Sequence, residues 1–281
     1  MRALNIVVVA VCITAGYCAP LAAKQLECCV PREQHAWGRF KVGSWKRVRT
    51  QTETLAPNGS VVGTTTTQTT TKLVDVDESG YTLRIDVVVE VAGKRFAGEP
   101  QVVRRGFSGE TDQQTVSVKH VGDGGVTING SKIPCEIRQV TVDDMGGKRI
   151  TTVHYSERFA PHVLRRETTA LDSAGKPLDL QSQVDVVAVN MPYKVLGDFR
   201  PTSHVRIMHQ QGKASTLTLE VHSNDIPGGV VSHTSKETDD AGQIIRRSTL
   251  ELQEYGLGTG EDPDSKLVRK VFHRGRNRRG R

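Results

Sequence analysis

Between Trp37 and Tyr255 the chain is cut at short intervals by turn sequences that end in glycine, and this punctuation limits the fold more than any other feature. The turns are Pro57-Asn58-Gly59, Glu78-Ser79-Gly80, Asp143-Asp144-Met145-Gly146-Gly147, Asp172-Ser173-Ala174-Gly175 and Asp239-Asp240-Ala241-Gly242. Asp and Asn side chains hydrogen-bond the backbone two residues on, and glycine supplies the positive φ of a tight hairpin. The runs between them are rich in Val, Thr and Ile, and none keeps the 3.6-residue apolar period of a helix. Leu83, Ile85, Val87, Val89 and Val91 alternate with Arg84, Asp86, Val88 and Glu90, which reads as a strand with one buried face. The expected fold class is all-β, built from repeated antiparallel β-hairpins.

The hairpins repeat. Residues 136–187 and 204–255 align with little gapping: Val153-His154-Tyr155-Ser156 against Val221-His222-Ser223, Pro161-His162-Val163 against Pro227-Gly228-Gly229-Val230, and the Asp172 turn against the Asp239 turn. A weaker half-copy starts at Trp45. A hairpin unit cannot bury its apolar face alone, so repetition implies one sheet grown by addition and a single β domain over 37–256. Twist prevents so many strands from lying flat, which predicts a large curved sheet or partial barrel with a concave binding face.

The ends carry different signals. Met1 and Arg2 precede an apolar run from Ala3 to Ala15 and small residues at Ala19 to Ala23, the pattern of a signal peptide over 1–23. The run is too short to span a bilayer, which takes about 20 apolar residues. An exported, periplasmic or secreted protein is therefore expected, with a flexible arm over 24–36. Cys18 follows small residues and invites lipidation, although Tyr17 is bulky for that motif.

The net charge of +7 resides at the other end. Lys266, Arg269, Lys270, Arg274, Arg276, Arg278, Arg279 and Arg281 contain no acid among them, and the rest of the chain holds 30 bases against 31 acids. A disordered basic tail over 257–281 is expected, and its eight bases are the candidate polyanion contact, suited to an anionic envelope surface rather than to specific nucleic acid.

Few residues point to chemistry. Cys28, Cys29 and Cys135 remain after removal of the leader, so either Cys28 or Cys29 can bridge to Cys135, or Cys135 is a buried thiol. His154 and His222 fall at matching places in the repeats, with His162 and His233 near in sequence, but no metal-ligand spacing occurs. Ser108 lacks the Gly-x-Ser-x-Gly spacing of a nucleophile elbow, and Asp143-Asp144 and Asp239-Asp240 lie in turns. Gly122-Asp123-Gly124-Gly125 reads as a turn too short to cradle phosphate. The Thr-rich run Gly63 to Lys72 reads as a solvated or edge strand, or as a hydroxyl array facing an ordered surface. No catalytic residue, metal ligand or cofactor is assigned.

An export signal followed by long repeated hairpins, with Trp37, Phe40 and Trp45 where the domain begins, resembles the uncharacterised secreted β-rich proteins of bacteria. At the level of architecture it resembles the periplasmic lipoprotein-carrier fold, in which a curved antiparallel sheet holds acyl chains. That resemblance implies a non-enzymatic cell-envelope binding protein with a lipid or a lipidated protein against an apolar concave face. The other expectation is a structural or interaction protein, its sheet filled by its own side chains, that meets acidic surfaces through the tail.

Overall fold

The computed structural model describes residues 29–111, 113–144 and 146–258. The leader, Cys18, Cys28 and all eight bases of the tail lie outside the described residues. The strands are β1 (Trp45–Leu55), β2 (Val61–Val76), β3 (Gly80–Val91), β4 (Lys94–Ala97), β5 (Gln101–Gly106), β6 (Thr115–Ile128) and β7 (Ser131–Asp144). They continue as β8 (Gly147–Tyr155), β9 (Val163–Asp172), β10 (Pro177–Val195), β11 (Asp198–Gln211), β12 (Ala214–His222), β13 (Val230–Thr238) and β14 (Ile244–Gly256). Among the described residues the helical structure is one 3-10 turn, Arg32–Gln34.

All 14 strands form one curved antiparallel sheet that does not close into a barrel, in the order β4-β3-β2-β1-β14-β13-β12-β11-β10-β9-β8-β7-β6, with β5 also pairing β3. From β6 to β14 each strand pairs with the next in sequence. β14 then pairs with β1, from Trp45 opposite Gly256 to Thr54 opposite Arg246. The predicted turns fall at hairpins: Asp172 Oδ1 accepts from the backbone N–H of Ala174 and Lys176, and Asp239 Oδ1 from Ala241 and Gln243, all at 2.9 Å.

Residues opposite one another across a ladder share a face, so the register defines a packed face and an outer face. Four apolar clusters form the core, mostly toward the end of the sheet where β1 begins. Trp37 packs on Leu73, Tyr81, Leu83 and Phe107. Ile226, from the β12–β13 loop, packs with Val48, Val195, Val231 and Leu252. Leu164, Val186 and Val205 pack with Ile128 and Ile133 at the β6–β7 turn. Cys29 and Val30 cover Val140, Val142, Val153 and Tyr155.

The last cluster brings in the described part of the expected arm: residues 29–36 are hydrogen-bonded to the packed face. The Cys29 carbonyl accepts from the Arg138 guanidinium at 2.9 Å, the Tyr155 hydroxyl bonds the Gln34 side chain, and the Ala36 carbonyl accepts from the Gly228 N–H at 2.9 Å. Burial of Trp37 supplies the driving force, about 3 kcal/mol for a large aromatic side chain. The tip of the β10–β11 hairpin folds over the same end: Tyr193 and Val195 join the Ile226 cluster, and the Arg200 guanidinium lies 5.8 Å from the Tyr255 ring centroid.

Two further expectations change. Gly122, Gly124 and Gly125 do not form a turn. They lie inside β6, at and beyond a register shift, where Gly124 and Gly125 face Cys135 and Pro134. Glycine lets β6 pass that irregular stretch. The Thr-rich strand β2 is also no edge, because β1 flanks it on one side and β3 on the other.

A polar trough on the packed face

Away from the apolar clusters, the packed face becomes polar. Lys46 on β1 shares it with Val48, and its ammonium donates to the Val230 carbonyl at 3.1 Å. Glu220 on β12 lies opposite His233 on β13, and its Oε2 is 2.7 Å from His222 Nε2. Arg166 on β9 lies opposite Val153 and Val184, and Arg149 on β8 opposite Val142. Arg166 retains solvent contact although strands crowd around it.

The electrostatics couple these groups. Burial pushes the Lys46 ammonium down to about 8, with the Glu220 charge opposing the shift. Burial works against ionised Glu220, but the His222 hydrogen bond and the charges of His222, His233 and Lys46 outweigh it and hold the carboxyl below its ordinary value. Burial also lowers His233, against the pull of Glu220. Arg166 is lowered by burial, with Cys29 opposing the shift, Arg149 adding to it and Glu220 opposing it.

Beyond this cluster runs a row of hydroxyls. Thr65, Thr52, Ser248, Ser235 and Thr218 stand opposite one another in succession across β2, β1, β14, β13 and β12. Ser235 and Ser248 join hydroxyls at 2.7 Å, and Thr151 and Thr168 at 3.1 Å farther along. An apolar concave face with few charges is therefore not what this sheet presents. It offers a trough stopped at one end by the chain's own side chains and lined beyond by ammonium, guanidinium, imidazole, carboxylate and hydroxyl groups.

The residues singled out in the sequence scatter. Cys29 and Cys135 do not bridge one another. Cys135 is on the outer face, its Sγ 3.8 Å from His154 Nδ1; burial raises the thiol and lowers the imidazole, the reverse of an activated pair. The two histidines aligned in the repeats do not correspond. A register shift sets Tyr155 opposite Val163 and His222 opposite Val230, so His222 matches Tyr155 and His154 matches Val221. A slip of one residue exchanges the two faces of a strand, and His154 points away from the trough. Ser108 is in a loop where its N–H donates to Glu110 Oε2 at 2.7 Å. Lys46, Arg166 and Glu220 were missed because a charged residue in an alternating strand reads as outward-facing. The signal available was phase: Lys46 is in step with Val48, and Arg166 with Leu164.

No protein-family model matches the chain, and no curated protein does. Among solved structures it is similar to a Bacteroides fragilis protein assigned as exported, with a YmcC-like fold, at 10% identity and TM-score 0.32 over 76% of this chain and 99% of that one. It is likewise similar to a Parabacteroides distasonis protein assigned as a lipoprotein, at 10% identity and TM-score 0.33 over 79% and 98%. At such scores the class rests on this chain's own strands: an open, curved antiparallel meander with a polar trough.

Proposed function

We propose that the protein is an exported, non-enzymatic envelope protein that works by contact with a partner rather than by carrying a hydrophobic ligand. The observation that carries this reading is the composition of the packed face. Its apolar part is covered by Cys29 and Val30, Trp37, Ile226 and Val195 from the chain itself. Its uncovered part holds Lys46, Glu220 and Arg166, whose desolvation by an acyl chain would cost several kcal/mol per ion. A polar partner instead meets donors and acceptors already in place. Export rests on the leader pattern of residues 1–23.

Native mass spectrometry of the protein purified from its host tests the contact reading. A mass equal to the polypeptide, or to a complex with a polar partner, supports it, and bound phospholipid or acyl chains would restore the carrier reading. Terminal sequencing of the same sample tests export, which predicts a chain starting near residue 24; one starting at Met1 would refute it.

A further inference from the structure

We propose that the chain's own acidic stretch, residues 261–264, docks in a basic groove beside the N-terminal segment and fastens the tail to the domain where it leaves the sheet. The contact lies within one chain and does not depend on what meets the trough.

The groove has a volume of about 480 Å³, and Arg32, Glu33, Arg39, Phe40, Lys41 and Val76 are among the residues that line it. Its floor is fixed. Phe40 and Val76 pack on the Trp37 cluster, the Ser44 N–H donates to the Lys41 carbonyl at 3.1 Å, and the Gly43 N–H donates to the Leu73 carbonyl at 2.8 Å. Among the described residues no hydrogen bond or ion pair engages the Arg32 guanidinium or the Lys41 ammonium. Arg39 donates to the Gln34 carbonyl at 2.9 Å, but its Nε is buried without an acceptor. Asp225, the acid that acts on Arg39, lies 3.6 Å from the Arg200 guanidinium. Glu33 is the one carboxylate among the lining residues. Cations with unmet donors gain from a carboxylate through charge-assisted hydrogen bonds.

The last described residue, Gly258, sits at the rim of this groove. Its N–H donates to Ser44 Oγ at 3.0 Å, and a Cβ built on it would stand 3.0 Å from Lys41 Cβ. The charged residues that follow directly are Glu261, Asp262 and Asp264, and the first base after them is Lys266. An extended chain spans about 3.5 Å per residue, so Glu261 comes within about 10 Å of Gly258 and Asp264 within about 20 Å. Three carboxylates can therefore reach three cations from the rim. Tethering there gives the segment an effective concentration on the order of millimolar, so weak individual contacts suffice. Pro263 restricts Asp262 before it to extended conformations, which lowers the entropy lost on docking.

The test compares isotope-labelled full-length protein with the full-length variant Glu261→Gln/Asp262→Asn/Asp264→Asn, by NMR at the Arg and Lys side-chain nitrogens. The substitutions lie beyond β14, so the sheet is left as it is. The Arg32, Arg39 and Lys41 signals should differ between the two proteins. A tetraglutamate peptide should bind the variant on the order of fivefold or more tightly than the wild type, in which the tethered segment already occupies the groove. Read from the other side, Arg39→Gln should move the Glu261 and Asp264 amide signals, and so should about 0.5 M sodium chloride, which screens exposed ion pairs. Three results overturn the docking. Groove signals identical in the two proteins would mean that the segment makes no contact there. Equal peptide affinity would leave the groove open to an acidic partner from outside. Groove signals that change with protein concentration would place the segment on a second copy of the chain.

Discussion

The loops after β8 and β12 share a hydrogen-bond pattern and differ in what rests on them. In the first, Ser156 N–H donates to the His162 carbonyl, His162 N–H to Phe159 and Val163 N–H to Pro161, at 2.7, 2.8 and 2.9 Å. In the second, Ser223 donates to Gly229, Gly229 to Ile226 and Val230 to Gly228, at 2.9, 2.8 and 2.9 Å. His162 and Gly229 occupy the same left-handed position, with φ 68° and 75°. The first loop keeps a histidine there, its Nδ1 placed 3.1 Å from the Ser156 carbonyl. The second loop receives the N-terminal segment: Ala36 bonds Gly228, and a Cβ on Gly228 would stand 2.7 Å from the Trp37 indole nitrogen. One hydrogen-bond pattern thus serves as a surface turn in one place and as a docking seat in the other, and the residue types follow what covers each loop.

The largest effect should come from denying the seat to its occupant. Gly228→Val combines a clash with Trp37 and a β-branched residue at φ 73°, and should cost about 3 kcal/mol or more in urea unfolding. Gly229→Val, at φ 75° in the same loop with His222 Nδ1 at 3.2 Å in place of the indole, should cost less; equal losses would assign the effect to backbone strain rather than to the seat.

The inward side chains come next. Ile226, 1% exposed, should lose about 3 kcal/mol on replacement by Ala, whereas half-buried Phe159 should lose about 2 despite its greater size. The reverse order would place the better-packed loop after β8.

Acid sharpens the comparison because His35 lies on the docked segment. Its Nδ1 accepts from the N–H groups of Trp37 and Gly38 at 3.2 Å, between the rings of Tyr81 and Phe107. Burial, and next the Arg39 charge, lower it from 6.5 to about 4. Between those values the unfolded chain binds a proton that the folded chain refuses, so stability should fall as pH drops from about 6.5 to 4, by an amount on the order of 1–2 kcal/mol. His35→Asn, which keeps an acceptor without the titration, should flatten that part of the profile; an unchanged slope would assign it to other groups.

The smallest effect is expected at His162→Gly. Relief of positive φ and loss of the contact with Ser156 oppose each other, leaving a change within about 1 kcal/mol. A larger loss, read by thermal unfolding, would make the surface loop a structural seat as well.

Local chemistry was legible in the sequence. Turn residues act on neighbours a few positions away, so the hairpins at Asn58-Gly59, Asp172 and Asp239 could be read directly, and curvature followed from strand number. Features set by distant partners were not legible. Pairing of β1 with β14 joins residues about 200 positions apart, and nothing local marks β2 as internal. The docking of residues 29–36 depends on a site at Gly228 that only the fold creates. The histidine alignment failed because register shifts follow His154 and Val221, and a sequence comparison does not show which residue is extra. Charges in the trough were hidden because alternation reveals a buried face without showing which polar residues remain on it.

The pairing of β1 with β14 also orders events in time. As synthesis proceeds from the N-terminus, β1 to β3 emerge early, but β1 holds an unsatisfied edge until β14, the last strand among the described residues, has been made. The meander from β6 to β14 can zip up neighbour by neighbour, whereas the closing ladder must find its partner across nearly the whole chain, the slowest kind of contact to form. The first hairpins therefore wait, with an exposed strand edge open to mispairing. A chain kept unfolded until its C-terminal strand is available would avoid that interval.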